Sequence, residues 1–236
     1  MTMTIIQRVF APLRNYFPGW ILGPIRSIGT AFLAPILFSY RTGHFKSSFK
    51  NMAVSKDGEP LPWYTYPCID FLKYRDYSDK TVLEFGGGQS TLWWAKRAKH
   101  VVTIEGNKEW YERIRDGLPE NVDLHYVVMD SAESCLSVVK KIVDASYDAI
   151  IIDGHYRFEM AGLAQTLLSE SGIIVCDDTD AECYRYADAF KETDLKRVDF
   201  FGNAPGVVLT RATSIFFKPN SFVFSPKYAV PAIARE

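Results

Sequence analysis

The chain has 236 residues, 47% of them hydrophobic and 23% charged, enough apolar material for one sizeable core and little for a second domain. A formal net charge of -1 leaves no surplus of Lys and Arg to neutralise phosphates, which excludes a general nucleic-acid binder. Cys68, Cys135, Cys176 and Cys183 are scattered without a Cys-x-x-Cys pair, so they read as reduced thiols of a cytoplasmic protein and exclude a disulfide frame or zinc site.

Residues 1–62 differ in character from the rest. Residues 1–17 mix apolar residues with Arg8 and Arg14, and the apolar stretch from Gly19 to Tyr40 is interrupted by Pro24, Arg26, Gly29 and Pro35. Its longest uncharged run, 27–40, is about 14 residues and falls short of the roughly 20 that cross a bilayer, so no transmembrane helix is expected. Two readings stay open: a helical cap or lid over the substrate crevice or a partner subunit, and a membrane-surface segment within residues 1–40 whose arginines meet anionic lipid. Arg41 to Phe49 is loop-like, as is the Pro- and aromatic-rich stretch from Gly58 to Pro67. Trp63, Tyr64 and Tyr66 are candidates there for an aromatic lid or for ordinary packing. Pro67 to Tyr74 then has helical spacing.

The main domain, 63–220, opens with a strand, a glycine turn and a helix over Thr81 to Ala95. Val82, Leu83 and Phe85 suit a buried parallel strand. Gly86, Gly87 and Gly88 bare the backbone to any ligand lying above them, and Ser90 or Thr91 can cap the helix. Val101 to Glu105 is a second strand whose acid falls about 20 residues after the glycines, the spacing at which a carboxylate reaches ribose hydroxyls. Leu124 to Asp130, followed by Ser131, reads as a third strand. Tyr147 to Asp153 reads as a fourth and Gly172 to Asp177 as a fifth. Glu84, Glu105, Asp130, Asp153 and Asp177 thus mark the carboxyl ends of the strands, which form the rim of the crevice in an open parallel sheet. A single acid after a strand also serves as a cap or turn former.

Ala181 to Thr193 reads as a helix, Lys196 to Gly202 as a sixth strand, and Ala212 to Lys218 as a last strand after the turn at Gly202 to Gly206. Two strands joined without a helix run antiparallel. Residues 221–236 form a C-terminal tail.

From about Pro67 to Lys218 the sequence resembles the class I S-adenosylmethionine-dependent methyltransferases of the O-methyltransferase-like branch. Glu84 to Gly88 is similar to the family's acid-x-Gly-x-Gly motif, with Ser90 where many members carry another glycine. The resemblance implies a Rossmann-like α/β sheet, mostly parallel with an antiparallel last strand, in the order 3-2-1-4-5-7-6. It implies that Gly86, Gly87 and Gly88, with Ser90 and Thr91, border the methionine part of S-adenosyl-L-methionine, that Glu84 helps hold its ammonium group, that Glu105 binds the ribose, and that Asp130 and Ser131 meet the adenine edge. Asp153 lies at the same site. In some O-methyltransferases of this kind, acids in the places of Asp153, Asp177 and Asp178 hold Mg2+, and three carboxylates suit such a hard cation.

Methyl transfer to a hydroxyl needs a base within reach of the proton, and His155, just past Asp153, is the first candidate, with His44 second. Arg157 is a candidate for steering an acidic substrate or is simply solvated. The expected partner is a small-molecule acceptor, a sugar or secondary metabolite, and a homo-oligomer is compatible with the sequence. Two alternatives remain: an NAD(P)-dependent oxidoreductase, since the glycine turn and Glu105 serve either cofactor, and a non-catalytic scaffold of the same fold at a membrane surface. The reversed last strand, and the lack of a Tyr followed four positions later by Lys, weigh against the oxidoreductase.

Overall fold

The computed structural model describes residues 18–143 and 146–228, so the expectations for residues 1–17 and 229–236 lie outside the described residues. Two helices, α1 (Gly19–Thr42) and α2 (His44–Lys50), precede α3 (Tyr66–Leu72). Strands and helices then alternate as β1 (Thr81–Phe85), α4 (Gln89–Ala95), β2 (His100–Glu105), α5 (Lys108–Arg115), β3 (Val122–Tyr126), α6 (Ala132–Ile142), β4 (Tyr147–Ile152), α7 (Arg157–Leu167) and β5 (Leu168–Cys176). A short 3-10 turn, Glu182–Tyr184, and α8 (Tyr186–Phe190) lead to the hairpin of β6 (Lys196–Asn203) and β7 (Thr210–Phe217).

The sheet has the order β3-β2-β1-β4-β5-β7-β6, as the sequence leads one to expect. β1 runs parallel between β2 and β4, with Leu83 beside Val102 and Ile150. β7 runs antiparallel between β5 and β6, pairing Phe216 with Ile174 and Ile215 with Val198. The apolar runs explain the central position of these strands: a strand covered on both faces must be hydrophobic at every position. Leu83, Phe85, Ile150, Ile152 and Ile174 enter one core. Val82, Ile151, Ile173 and Val175 enter the other, with Trp93 and Trp94 of α4.

Four expectations change. β3 ends at Tyr126, not near Asp130, because it is an edge strand whose side chains are half-exposed and whose pairing with β2 stops at Glu105 beside Tyr126. The helix expected over Ala181 to Thr193 is interrupted at Arg185, whose φ of 50° is left-handed. Arg41 to Phe49 is largely helical, because Gly43 at φ 78° ends α1 and lets α2 begin in a new direction. Finally, α1 continues for 24 residues through Pro24, Gly29 and Pro35, long and apolar enough to cross a membrane, and its side chains are largely exposed among the described residues. Each proline removes one backbone bond and leaves the rest of the ladder intact.

Buried strand side chains carry the stability of this arrangement. Ile150→Ala should lower the unfolding free energy by about 2–5 kcal/mol, read from urea denaturation, whereas exposed Val208→Ala should change it by less than about 0.5 kcal/mol. Equal midpoints for the two variants would mean that β4 is not the centre of the core.

Candidate active-site crevice

β1 delivers the chain into the glycine turn at the point where three strand ends are laced together. Gly86 donates its N–H to the Ile104 carbonyl at 2.9 Å, and Asp153 donates its N–H to the Phe85 carbonyl at 2.9 Å. Gly86 has φ +95°, and a Cβ there would come within 2.8 Å of the Gly154 nitrogen and 2.9 Å of the Asp153 carbonyl carbon. Only glycine meets both demands. The adjoining backbone fixes Glu105: Oε2 accepts the Gly87 N–H at 2.8 Å and Oε1 the Asn107 N–H at 2.6 Å. Trp110, one turn into α5, donates its indole N–H to the Gly87 carbonyl at 2.6 Å.

These contacts shape a crevice of about 710 Å³ whose floor is Gly86 to Ser90, Glu105 and Asp153 to Glu159. Trp110 forms one wall. Met52, Ala53, Leu61 and Trp63 form another, and Cys183 to Arg185 a third. The volume is that of a site for a cofactor or a drug-sized ligand. Of the residues singled out from the sequence, Gly86, Gly87, Gly88, Ser90, Glu105, Asp153 and His155 meet here.

Others do not. Glu84 is fully enclosed behind the turn, because strand alternation points it with Val82 towards α4 and away from the crevice. Its Oε2 accepts the hydroxyls of Thr91 at 2.5 Å and Thr103 at 3.1 Å, and Oε1 has no partner among the described residues. It braces the turn in place of holding an ammonium group. Burial pushes its carboxyl up to about 7, against the hydroxyls that hold it down. Thr91 is also buried and accepts the Gly88 N–H at 2.9 Å, so it caps α4 from the third helical position, with Gly88 at the cap itself, while Ser90 does not take that role. Asp130 and Ser131 are exposed outside the crevice. Asp130 accepts the Ser131 N–H and Ser131 caps α6 through the Ser134 N–H, a consequence of β3 ending early. Met129 sits nearer, lining a small cavity with Gly86, Glu105 and His155.

The three acids expected around a magnesium ion are instead claimed by arginines and a hydroxyl. Asp153 Oδ1 accepts from Arg157 Nη2 at 2.9 Å, and Asp178 pairs with Arg211 at 2.5 Å and with Arg157 at 3.7 Å. Asp177 is buried and accepts the Thr213 hydroxyl at 2.7 Å. Among the described residues no group of three or more His, Cys, Asp or Glu side chains is arranged to hold a metal ion. The donor set does not fit magnesium, because a buried guanidinium already neutralises it. Arg157 also donates to the carbonyls of Asp177 and Gly154 and lies over the Tyr184 ring, so it is a clamp and not a solvated steering residue. Burial pushes Asp153 up to about 6 despite the pull of Arg157, and burial with the neighbouring Asp153 and Asp178 pushes Asp177 well above the usual carboxylate range.

His155 is exposed on the crevice floor. His44 is elsewhere: its Nδ1 accepts the Gly206 N–H at 3.2 Å, and burial lowers its proton affinity. Of the proposed aromatic lid only Trp63 lines the crevice, held by its indole N–H to the Pro205 carbonyl; Tyr64 is buried against Trp94 and Tyr66 lies in the core. Sequence reasoning missed Trp110, Tyr184 and the wall from Met52 to Leu61. A tryptophan one turn beyond the acid of β2 was the available signal for the first, and nothing local marks the others.

No protein-family model matches the sequence, and no curated protein matches it. Solved structures do. An O-methyltransferase from Bacillus cereus in complex with SAH is 14% identical, with 77% of this chain and 100% of that chain covered and a TM-score of 0.56. TomG, an O-methyltransferase from Streptomyces achromogenes involved in tomaymycin synthesis, in complex with SAM, is 18% identical over 77% of this chain and 88% of that one, with a TM-score of 0.52. A methyltransferase from Pyrococcus furiosus is 19% identical over 80% and 98%, with a TM-score of 0.50. The chain has the class I methyltransferase fold.

Glu84 makes stability depend on pH. Between about 4.5 and about 7 the unfolded chain gives up this proton and the folded chain keeps it, so stability is full below that window and falls as pH rises through it. A tenfold difference in proton affinity is worth about 1.4 kcal/mol, which puts the loss on the order of 3 kcal/mol. Glu84→Gln keeps an acceptor for Thr91 and Thr103 and should make the fall in melting temperature between pH 5 and pH 8 shallower, the remainder coming from Asp153 and Asp177, which burial raises in the same direction. Parallel pH curves for variant and parent would show that Glu84 is ionised throughout.

Proposed function

We propose that the chain is an S-adenosylmethionine-dependent methyltransferase acting on a hydroxyl of a small molecule, such as a sugar or secondary metabolite. One observation carries this reading: the glycine turn, Glu105, Asp153 and His155 share a single crevice at the carboxyl ends of β1, β2 and β4. Such a crevice is where open α/β sheets bind nucleotide-like ligands. Two structures of the same fold are O-methyltransferases with SAM or SAH bound, which favours that cofactor over NAD.

The residues present suit an adenosyl group. Bare backbone at Gly86 to Gly88 admits close approach, the fixed Glu105 carboxylate has lone pairs left for ribose hydroxyls, and the Trp110 indole offers a flat face. When bound, S-adenosylmethionine supplies a methyl group on a sulfonium, whose in-line displacement leaves the bonding pair on sulfur as a neutral thioether. The protein's part is alignment and removal of one proton. Asp153, fixed by Arg157, accepts a hydrogen bond from the acceptor hydroxyl and orients it. His155 takes the proton as the new oxygen–carbon bond forms. Trp63, Met52 and Leu61 line the crevice and give the acceptor an apolar wall.

Thermal melting with SAM, SAH and NAD tests the cofactor. At about 100 times Kd a ligand adds about 2.7 kcal/mol to the native state, so SAM and SAH should each raise the melting temperature and NAD should not. Glu105→Ala should lose most of that rise. His155→Gln should keep it, yet lower label transfer from methyl-labelled SAM to a hydroxyl-bearing acceptor by about 10²–10⁴. A shift with NAD alone would overturn the assignment, and label appearing only on amines would overturn the O-methyl reading.

A further inference from the structure

Among the described residues, little protein lies against the apolar side chains of α1. In α1, Trp20 is 77% exposed, and Ile25, Ile28, Phe32, Leu33, Ile36 and Leu37 are exposed as well. With successive residues about 100° apart, Leu37 lies opposite Ile28, so apolar side chains ring the axis. A helix that docks in a groove or lies flat at an interface has one apolar face and one polar face. A helix that is apolar all round needs an apolar solvent.

Its dimensions and ends match a bilayer. At about 1.5 Å per residue, 24 residues extend about 36 Å, against roughly 30 Å of hydrocarbon. The helix has no acidic residue, and its two charges, Arg26 and Arg41, sit towards opposite ends. The Arg26 side chain can reach outward along its aliphatic stem. Trp20 and Tyr40 stand near the ends, where aromatic side chains favour the headgroup region. The hydroxyls of Ser27, Thr30 and Thr42 donate to the carbonyls of Gly23, Arg26 and Phe38, which leaves none of these three donors unsatisfied in hydrocarbon.

A second, separate feature lies at the base of this helix. Phe45 and Phe49 of α2 are stacked on each other at 6.4 Å yet 71% and 83% exposed, with Lys46 and Lys50 interleaved. The loop between β6 and β7 lies against α2, since a Cβ on Gly206 would come within 2.6 Å of the Ser48 nitrogen, and it exposes Val208 and Leu209 at 85% and 75%. Exposed aromatic and aliphatic tips among lysines suit a headgroup layer. The joint between helix and domain is firm. Phe38 packs edge-on against Tyr66 at 5.4 Å, and His44 holds Gly206.

We propose that α1 is a bilayer anchor, inserted in the hydrocarbon of a lipid membrane, and that α2 with the β6–β7 loop rests on the membrane surface. The crevice wall formed by Met52 and Ala53 begins two residues after α2, which keeps the crevice close to the lipid headgroups. The inference is independent of the methyl-transfer reading.

The full chain, reconstituted from detergent into phosphatidylcholine vesicles, tests it by flotation after an alkaline carbonate wash. The chain should float with the vesicles. Ile28→Lys combined with Phe32→Lys and Ile36→Lys should leave the floating fraction and stay soluble without detergent, with its circular dichroism and its response to SAM equal to the parent's. Release of the parent by carbonate, flotation of the triple variant, or a discrete lipid-free oligomer of the parent would each overturn the anchor. A fluorophore on Phe49→Cys in a Cys183→Ser background should shift to the blue on vesicles, and an unshifted spectrum would remove α2 from the proposal.

Discussion

Three carboxylates at neighbouring strand ends cannot coexist without positive charge, and the guanidinium of Arg157 is what the rim of this crevice is built around. It pairs with Asp153 and Asp178 and donates to the backbone carbonyls of Asp177 and Gly154, tying the end of β4 to the end of β5. Breaking such a buried pair leaves an uncompensated charge, at a cost of about 3–5 kcal/mol. The same clamp defines the chemistry open to the site. It neutralises the charge that a divalent cation would otherwise meet, and it holds Asp153 at the crevice, where burial pushes the carboxyl up to about 6 and the guanidinium opposes that rise. Arg211 completes the neutralisation from β7, so the reversed last strand contributes to the rim as well as to the sheet.

The sequence was most legible where burial is complete. β1, β2, β4 and the second half of β5 are mostly apolar because both faces are covered, with Glu84 and Thr103 as buried polar exceptions that bond to each other. β3 is half-exposed at the sheet edge, so its apolar residues did not mark where pairing stops. The Pro and Gly residues of α1 misled in the other direction. They suggest breaks, yet 24 residues of otherwise uninterrupted backbone bonding tolerate two missing donors.

The site was legible in part, for a geometric reason. A residue's place at the end of an apolar strand indicates its height in the sheet, and Glu105 and Asp153, which follow the partners of Phe85, are at the height expected. Height does not fix direction. Glu84 is one residue from the turn yet faces the opposite core, and Asp130 lies past a strand end that came four residues early. The walls come from segments far away in sequence, Met52 to Trp63 and Cys183 to Arg185, with no period or motif to connect them to the floor.

Those distant walls link the crevice to the N-terminal helices. Ser47 of α2 is buried, and its hydroxyl both donates to the Val54 carbonyl at 2.8 Å and accepts the Val54 N–H at 3.0 Å, which fixes the chain beside Met52 and Ala53. Leu61 donates its N–H to the Ala53 carbonyl, closing the same wall. Trp63 is then held by Pro205 in the hairpin loop that carries Val208 and Leu209. A displacement of α2 therefore reaches the space above Asp153 through two short routes, one along the backbone and one through an indole. The exposed ring pair of α2 and the crevice wall from Met52 to Trp63 thus belong to one hydrogen-bonded unit, fixed at Ser47, Ala53 and Pro205.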